Sequence, residues 1–166
     1  MNRKNVTYLS LGSNLGNKKE NIKKAVKCVE KSIGTIVQIS NYYISESWGF
    51  RSNDFLNNMI EVETCFSPVQ LFNRIKIIEK ELGAFHNSLL EEYQPRTIDI
   101  DIIYYNKILY NQKLLKIPHV NMHNRKFVLL PFLELNEYIK HPVFNKNVSE
   151  LLKVCDDLSE VYLYEE

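Results

Sequence analysis

Pro95-Arg96-Thr97-Ile98-Asp99-Ile100-Asp101-Ile102 is the stretch on which the reading of this 166-residue sequence turns. Side chains alternate along an extended chain, so Ile98, Ile100 and Ile102 share one face while Asp99 and Asp101 share the other. The isoleucine row predicts a strand from Ile98 to Tyr105 laid against helices. The two carboxylates then point at the opposite face, with Cα atoms about 6.5 Å apart. At an effective dielectric of ~20 such charges repel by about 2.5 kcal/mol. A divalent cation relieves that repulsion, and oxygen-only ligands on a stiff strand suit Mg²⁺ shared with substrate phosphates. Arg96, at the strand's start, can serve as a phosphate fork.

Upstream, Val6 to Leu11 reads as a strand entering the turn Gly12-Ser13-Asn14-Leu15-Gly16, whose glycines are read as permitting positive φ. Asn17 caps a helix with Glu20 at the capping-box position. Ile22, Ala25, Val26, Val29 and Ile33 fall at helical spacing, and Gly34 ends the run. Thr35 to Ile44 is β-branched and aromatic, hence a strand. A polar loop around Trp48 and Gly49 follows, then a strand from Phe55 to Phe66. Ser67-Pro68-Val69-Gln70 is a helix start, with Leu71, Phe72, Ile75, Ile78 and Leu82 as the buried stripe and Gly83 as its end. The chain from Ala84 to Pro95 is a loop long enough to point to function. Downstream, Leu114 to His119 is extended, a helix covers much of Arg125 to Leu135, and Ser149 to Val154 forms a short helix. The order β-α-β-β-α-β predicts a ferredoxin-like α+β sandwich with extra C-terminal elements. Two helices cover one sheet face, leaving the other for added loops or ligands.

Composition narrows the function. Lys+Arg 21 against Asp+Glu 20 gives a net charge of +1, which argues against a strongly basic nucleic-acid binder. Hydrophobic residues at 45% and charged residues at 25% are ordinary for a globular domain. Three cysteines without a C-x-x-C give neither a disulfide framework nor a cysteine zinc site. The N-terminus lacks an apolar signal core, and the apolar run Phe127 to Leu135 is too short to span a bilayer. The expectation is a cytoplasmic protein with no membrane partner. The Gly12–Gly16 turn is not a P-loop, because the second glycine comes too early and no Gly-Lys-Ser/Thr follows. G-x-S-x-G, H-E-x-x-H and G-x-G-x-x-G are likewise missing.

Two further groupings carry chemistry. Phe55 and Asn57 share a strand face, a flat ring beside an amide that both donates and accepts, which suits a planar heterocycle. His119, Arg125 and Phe127 place two phosphate-binding side chains and a stacking ring within a short span.

Taken in order, Leu11-Gly12-Ser13-Asn14-Leu15-Gly16, Phe55-Leu56-Asn57, Ile78-Glu79-Lys80-Glu81-Leu82-Gly83, Pro95 to Asp101, Ile117-Pro118-His119 and Asn124-Arg125-Lys126-Phe127 closely resemble the 6-hydroxymethyl-7,8-dihydropterin pyrophosphokinase family, over nearly the whole chain. The resemblance implies one catalytic domain over residues 1–166. It also implies transfer of pyrophosphate from ATP to the hydroxymethyl group of the dihydropterin with release of AMP, a step of folate synthesis. It implies that Asp99 and Asp101 hold two Mg²⁺ ions, and that Arg96, His119 and Arg125 act with them on the phosphates. By the same resemblance Ser45, Trp48, Phe55, Asn57 and Phe127 form the pterin site. Glu79, Tyr93, Ile102, Leu114, Leu115 and Lys116 join Arg96, His119 and Arg125 around the nucleotide. The expected partners are these two small molecules alone, with no nucleic acid, and the expected state is a monomer. The sequence departs from the family in the lid loop, where Ala84 and His86 stand at positions usually held by arginine. Tyr93 takes the place of the usual tryptophan, Gln94 that of a glycine, and Val120 that of a tyrosine. An alternative is therefore a relative that binds pterin and nucleotide with weak or no transfer, lid arginines contributing to rate as well as binding. A ferredoxin-like RNA-binding module is the reading from another class; the net charge and the Asp99/Asp101 pair argue against it.

Overall fold

The computed structural model describes residues 4–47, 53–84 and 96–165. Its central sheet runs in the order β5-β1-β4-β3-β8, with β2 also paired to β4. The strands are β1 (Asn5–Ser13), β2 (Gly34–Ile39), β3 (Tyr43–Ser45), β4 (Phe55–Thr64), β5 (Asp99–Tyr105) and β8 (Val161–Leu163). All neighbouring strands are antiparallel. The hairpin β6 (Tyr110–Asn111) and β7 (Lys116–Ile117) stands outside this sheet. This is the predicted β-α-β-β-α-β framework with C-terminal additions.

The two framework helices start as their sequences dictate. The Asn17 side chain accepts the Glu20 N–H at 3.1 Å at the head of α1 (Lys18–Ser32). Ser67 and Gln70 close a reciprocal capping box at the head of α2 (Pro68–Glu81), with Pro68 inside the first turn. Gly83, at φ +82°, ends that helix in a conformation glycine adopts without strain. Ile22, Ala25 and Val29 of α1 and Leu71, Ile75 and Ile78 of α2 pack on Leu9, Leu11, Ile60, Val62, Ile100 and Ile102. Each such side chain contributes about 1.5–3 kcal/mol by leaving water.

Two expectations are corrected. The run Thr35 to Ile44 is two strands, because Ser40 turns inward: its N–H donates to the Met59 carbonyl at 2.9 Å, and its Oγ accepts the Met59 N–H. Both halves still pair with β4. The second sheet face, expected to be left for loops or ligands, is covered over part of its length. There α3 (Lys126–Asn136) and α4 (Val148–Lys153) bring Val128, Leu129, Phe132, Val148 and Leu151 onto Tyr8, Met59, Ile103 and Tyr104.

A bulge divides that face. Opposite β5, Tyr8 faces Tyr104 and Leu9 faces Ile102, so Ile103 is the extra residue. On one side of the bulge Ile103 and Tyr104 join the core under α3. On the other side Asp101 and Asp99, in register with Ser10 and Gly12, point out of the same face beyond it.

The C-terminal segment reaches back over this frame. The Asp157 carboxylate accepts the Lys126 N–H at 2.8 Å and so caps α3, whose own N-cap residue, Arg125, makes no side-chain cap. Beyond it β8 zips onto β3, pairing Val161 with Ser45. Among the described residues no helix is long and apolar enough to cross a membrane.

Candidate active site

The outward end of β1 decides the site's shape. Gly12 lies between Asp99 on β5 and Asn57 on β4. A Cβ there would stand 3.1 Å from Asn57 Oδ1 and 3.5 Å from the Phe55 ring. Gly12 is therefore wanted for its missing side chain. The reading that the turn's glycines permit positive φ holds for Gly16, at +58°, and not for Gly12, which is a strand residue. The bare Gly12 makes a floor with carboxylates on one flank and the Phe55 ring and Asn57 amide on the other.

Asn57 is only 3% exposed, and its amide is oriented from behind. Its Nδ2 donates to Ser45 Oγ at 2.9 Å and lies 3.4 Å from the Tyr43 carbonyl. That leaves Oδ1 turned toward the floor, able to accept from an N–H on the edge of a flat ring. Ser45, predicted to contact the ligand, is itself buried and acts on this amide.

On the carboxylate flank, Arg96 holds Asp99 through an Nη1–Oδ1 contact of 2.7 Å. Among the described residues Asp101 has no such close side-chain partner: His119 Nε2 is 4.0 Å from its Oδ2, beyond hydrogen-bond range. The walls around Asp101 push its carboxyl upward first, and the Asp99 charge adds to this. Arg125 and Lys76 pull the other way. With 39% of the side chain still reaching solvent, water tempers the shift. The His119 amide donates to the Ile103 carbonyl at 2.9 Å, so the bulge on β5 anchors it. Its Nδ1 accepts the Asn121 N–H at 3.2 Å, so the neutral ring carries its proton on Nε2, facing Asp101. Burial, and then the Arg125 charge, lower its pKa to about 4, so the ring is neutral at pH 7. Arg125 is 7% exposed, with its guanidinium carbon 5.7 Å from the centre of the Phe127 ring.

Beyond Asp101 and His119 opens a cavity of about 420 Å³. Its walls are Phe72 and Lys76 of α2, Ile100 and Ile102 at the edge of β5, and the turn and strand Lys113–Lys116. The Ile100 N–H points outward to a side chain of α2, and by strand alternation the Ile102 amide and carbonyl also point away from β1, into the cavity. Ile102, Leu114, Leu115 and Lys116, expected around the nucleotide, all line this one cavity. Glu79 is not in the lining: it is 2% exposed, Oε1 accepts the Ile100 N–H at 2.8 Å, and Oε2 pairs with Lys76 at 2.7 Å. It fixes β5 against α2. Trp48 and Tyr93 lie outside the described residues.

Sequence reasoning missed Gly12 as a floor, Lys76, Phe72 and Lys113 as cavity walls, and Asn14 as a link, its Oδ1 accepting the Arg96 N–H at 2.7 Å and its Nδ2 lying 3.4 Å from the Asn53 carbonyl. Only Gly12 and Asn14 carried a signal, since both stand in the quoted Leu11–Gly16 turn. Among the described residues no cluster of three or more His, Cys, Asp or Glu side chains could hold a metal alone. Two carboxylates on one face, with an excess of negative charge between them, are instead an all-oxygen pair that needs phosphate oxygens to complete a shell.

Residues 8–137 match the family described as 7,8-dihydro-6-hydroxymethylpterin-pyrophosphokinase. The 2-amino-4-hydroxy-6-hydroxymethyldihydropteridine pyrophosphokinase of Aquifex aeolicus is 38% identical over 144 residues, 86% of this chain and 88% of that protein. The folic acid synthesis protein fol1 of Schizosaccharomyces pombe is 35% identical over 149 residues, 89% of this chain but only 20% of that protein. A crystal structure of wild-type Plasmodium falciparum HPPK-DHPS with STZ-DHP superposes with a TM-score of 0.72 at 18% identity, over 92% of this chain and 43% of that one. The chain thus spans most of the bacterial relative and less than half of the fungal and Plasmodium chains.

Proposed function

The chain belongs to the 7,8-dihydro-6-hydroxymethylpterin-pyrophosphokinase family, and from that premise we propose that it transfers pyrophosphate from ATP to the hydroxymethyl group of 6-hydroxymethyl-7,8-dihydropterin, releasing AMP, in folate biosynthesis. The observation that carries the reading is the position of Asp99 and Asp101. They stand between a slot floored by Gly12 and flanked by Phe55 and Asn57, and a cavity walled by Ile102, Leu115 and Lys116.

The hydroxyl of the pterin attacks the β-phosphorus and gives up its proton to solvent, and the oxygen bridging the α- and β-phosphorus atoms departs with AMP. No covalent enzyme intermediate is needed, so the work of this chain is alignment and charge neutralisation. Asn57 Oδ1 fixes the edge of the pterin, and Phe55 and Phe127 supply stacking faces. The 420 Å³ cavity seats the nucleoside, with the Ile102 backbone offered to its base. Arg96, Arg125, Lys76 and Lys116 set positive charge around the triphosphate. Neutral His119 offers its Nε2–H to a phosphate oxygen without adding charge. Asp99 and Asp101 suit Mg²⁺, which when bound lowers the pKa of an attacking oxygen and screens the phosphates. The raised carboxyl of Asp101 fits a group that ionises fully only beside a cation.

The test is product analysis. ATP should yield AMP, not ADP, only with the pterin and Mg²⁺ both present, and Asp101→Ala should abolish this. ADP release, or AMP release without pterin, overturns the proposal.

A further inference from the structure

Phe127, the second stacking ring of the proposed function, stands in the first turn of α3, which runs unbroken through Pro131 to Asn136. Glu134 follows seven residues later. At 3.6 residues per turn the two share one helix face, about 10 Å apart along the axis. The Glu134 carboxylate is exposed, yet both of its oxygens are bound to one corner of the sheet, the link between β2 and β3. Oε1 accepts the Tyr43 hydroxyl and, at 3.4 Å, Asn41 Nδ2; Oε2 accepts the Asn41 N–H at 2.8 Å. Burial first, and then the bond to Glu134, hold the Tyr43 phenol above its ordinary pKa, so it stays a donor. Tyr43 is also the residue of β3 in register with Asn57, and its carbonyl lies 3.4 Å from Asn57 Nδ2. One residue thus carries the Glu134 anchor on its side chain and the Asn57 contact on its backbone.

We propose that Glu134 is a positioning residue for the pterin: through Tyr43 it fixes the Phe127 face of α3 relative to the Asn57 amide that reads the edge of the ring. The inference rests on the proposed function and adds to it the residue that sets the gap between a stacking wall and an edge-reading wall. The physical basis is direction. The inner face of α3 meets the sheet through Val128, Leu129 and Phe132 on Tyr8, Met59 and Tyr104. Such apolar packing is non-directional and sets the depth of a helix better than its roll. Hydrogen bonds from one carboxylate to a side chain and a backbone amide of the neighbouring corner are directional, and they fix the roll. A roll released at Glu134 moves Phe127 across the slot while the core under α3 stays buried.

The experiment measures by calorimetry the Kd of 6-hydroxymethyl-7,8-dihydropterin under a saturating non-hydrolysable ATP analogue and Mg²⁺, and separately the Kd of the analogue. Tyr43→Phe keeps the ring and removes only the hydroxyl, so it tests the contact even where Glu134→Ala fails to fold. Each variant should weaken the pterin by about three- to tenfold, the worth of one aromatic stack, with the analogue within about twofold. In a Phe127→Ala background the same substitutions should cost the pterin less than about twofold more, because the ring they position is gone. A merely structural residue would weaken both ligands alike and add its loss in full to that of Phe127→Ala. Pterin affinity kept within about twofold in Tyr43→Phe, an equal loss for the analogue, or an undiminished loss in the Phe127→Ala background overturns the inference. If the unaltered protein binds no pterin, it is the proposed function that fails, and this inference with it.

Discussion

Gly12→Ala puts one methyl group on the floor of the slot, and its effect follows from three distances. The new carbon meets Asn57 Oδ1 at 3.1 Å and Phe55 Cδ1 at 3.5 Å. Ordinary contact begins near 3.4 Å, so Asn57 would have to retreat by a few tenths of an ångström. It is not free to do so, because its Nδ2 is held by Ser45 Oγ at 2.9 Å. Overpacking of this kind costs about 1–3 kcal/mol, which at ~2–4 °C per kcal/mol in a domain of this size lowers Tm by several degrees. The larger effect falls on the ligand. A ring lifted by about 1 Å from its resting plane misplaces the hydroxymethyl oxygen, and misplacement on that scale costs about 10²-fold in rate. Steady-state kinetics should show kcat/KM for the pterin down by ~30–100-fold, with the affinity for an ATP analogue within about twofold, because the cavity lies on the far side of Asp101. A variant that folds and keeps pterin kcat/KM within threefold would refute the claim that Gly12 floors the slot.

Three other perturbations test the frame around the site. Glu79→Ala strips the Ile100 N–H of its buried acceptor and should destabilise by about 2–4 kcal/mol in urea melts. Glu79→Gln keeps an acceptor and loses only a pair with half-exposed Lys76, so it should retain most of that stability; equal losses in the two variants would exclude the hydrogen bond as the cause. Asn58, fully buried on the helix side of β4, makes no side-chain hydrogen bond among the described residues. Asn58→Leu should raise stability by about 1–2 kcal/mol, and a lowered Tm would contradict this. His141 is held below its ordinary pKa by burial first and by His123 second. The unfolded chain therefore takes up this proton near pH 6.5 while the folded state resists it, so stability is present above that pH and fades as pH falls below it. His141→Asn keeps an acceptor for the Val143 N–H and should flatten the drop between pH 6.5 and 5; an unchanged slope assigns the loss to other groups.

The alternation of Ile98 to Ile102, the caps at Asn17 and Ser67 and the stop at Gly83 were legible because each is a local signal, and they suffice for the ferredoxin-like frame. The break at Ser40 was not, since a β-branched run looks the same whether or not the chain dips to bond Met59 midway. Nor was the bulge at Ile103, which depends on pairing with Tyr8 and Leu9, residues far away in the chain. Asp99, Asp101, Phe55 and Asn57 could be picked out because strand spacing puts each pair on one face. Gly12 and Asn14 announce nothing by spacing. Their meaning is what they leave empty or tie together, and both appear only once the strands are side by side. Glu79, expected by resemblance near the nucleotide, has one carboxylate oxygen on the Ile100 N–H and the other on Lys76, contacts that only the folded frame reveals.

The tail beyond α4 acts as a buttress for the slot from two directions. Through Asp157 it steadies the helix start that carries Arg125 and Phe127, and through Val161 it backs the strand whose Ser45 aims Asn57. Residues remote in sequence from Asp99 and Asp101 thus hold both the start of α3 and the strand that orients Asn57. Trimming the chain after Cys155 should leave the sandwich folded yet slacken its grip on a flat ligand.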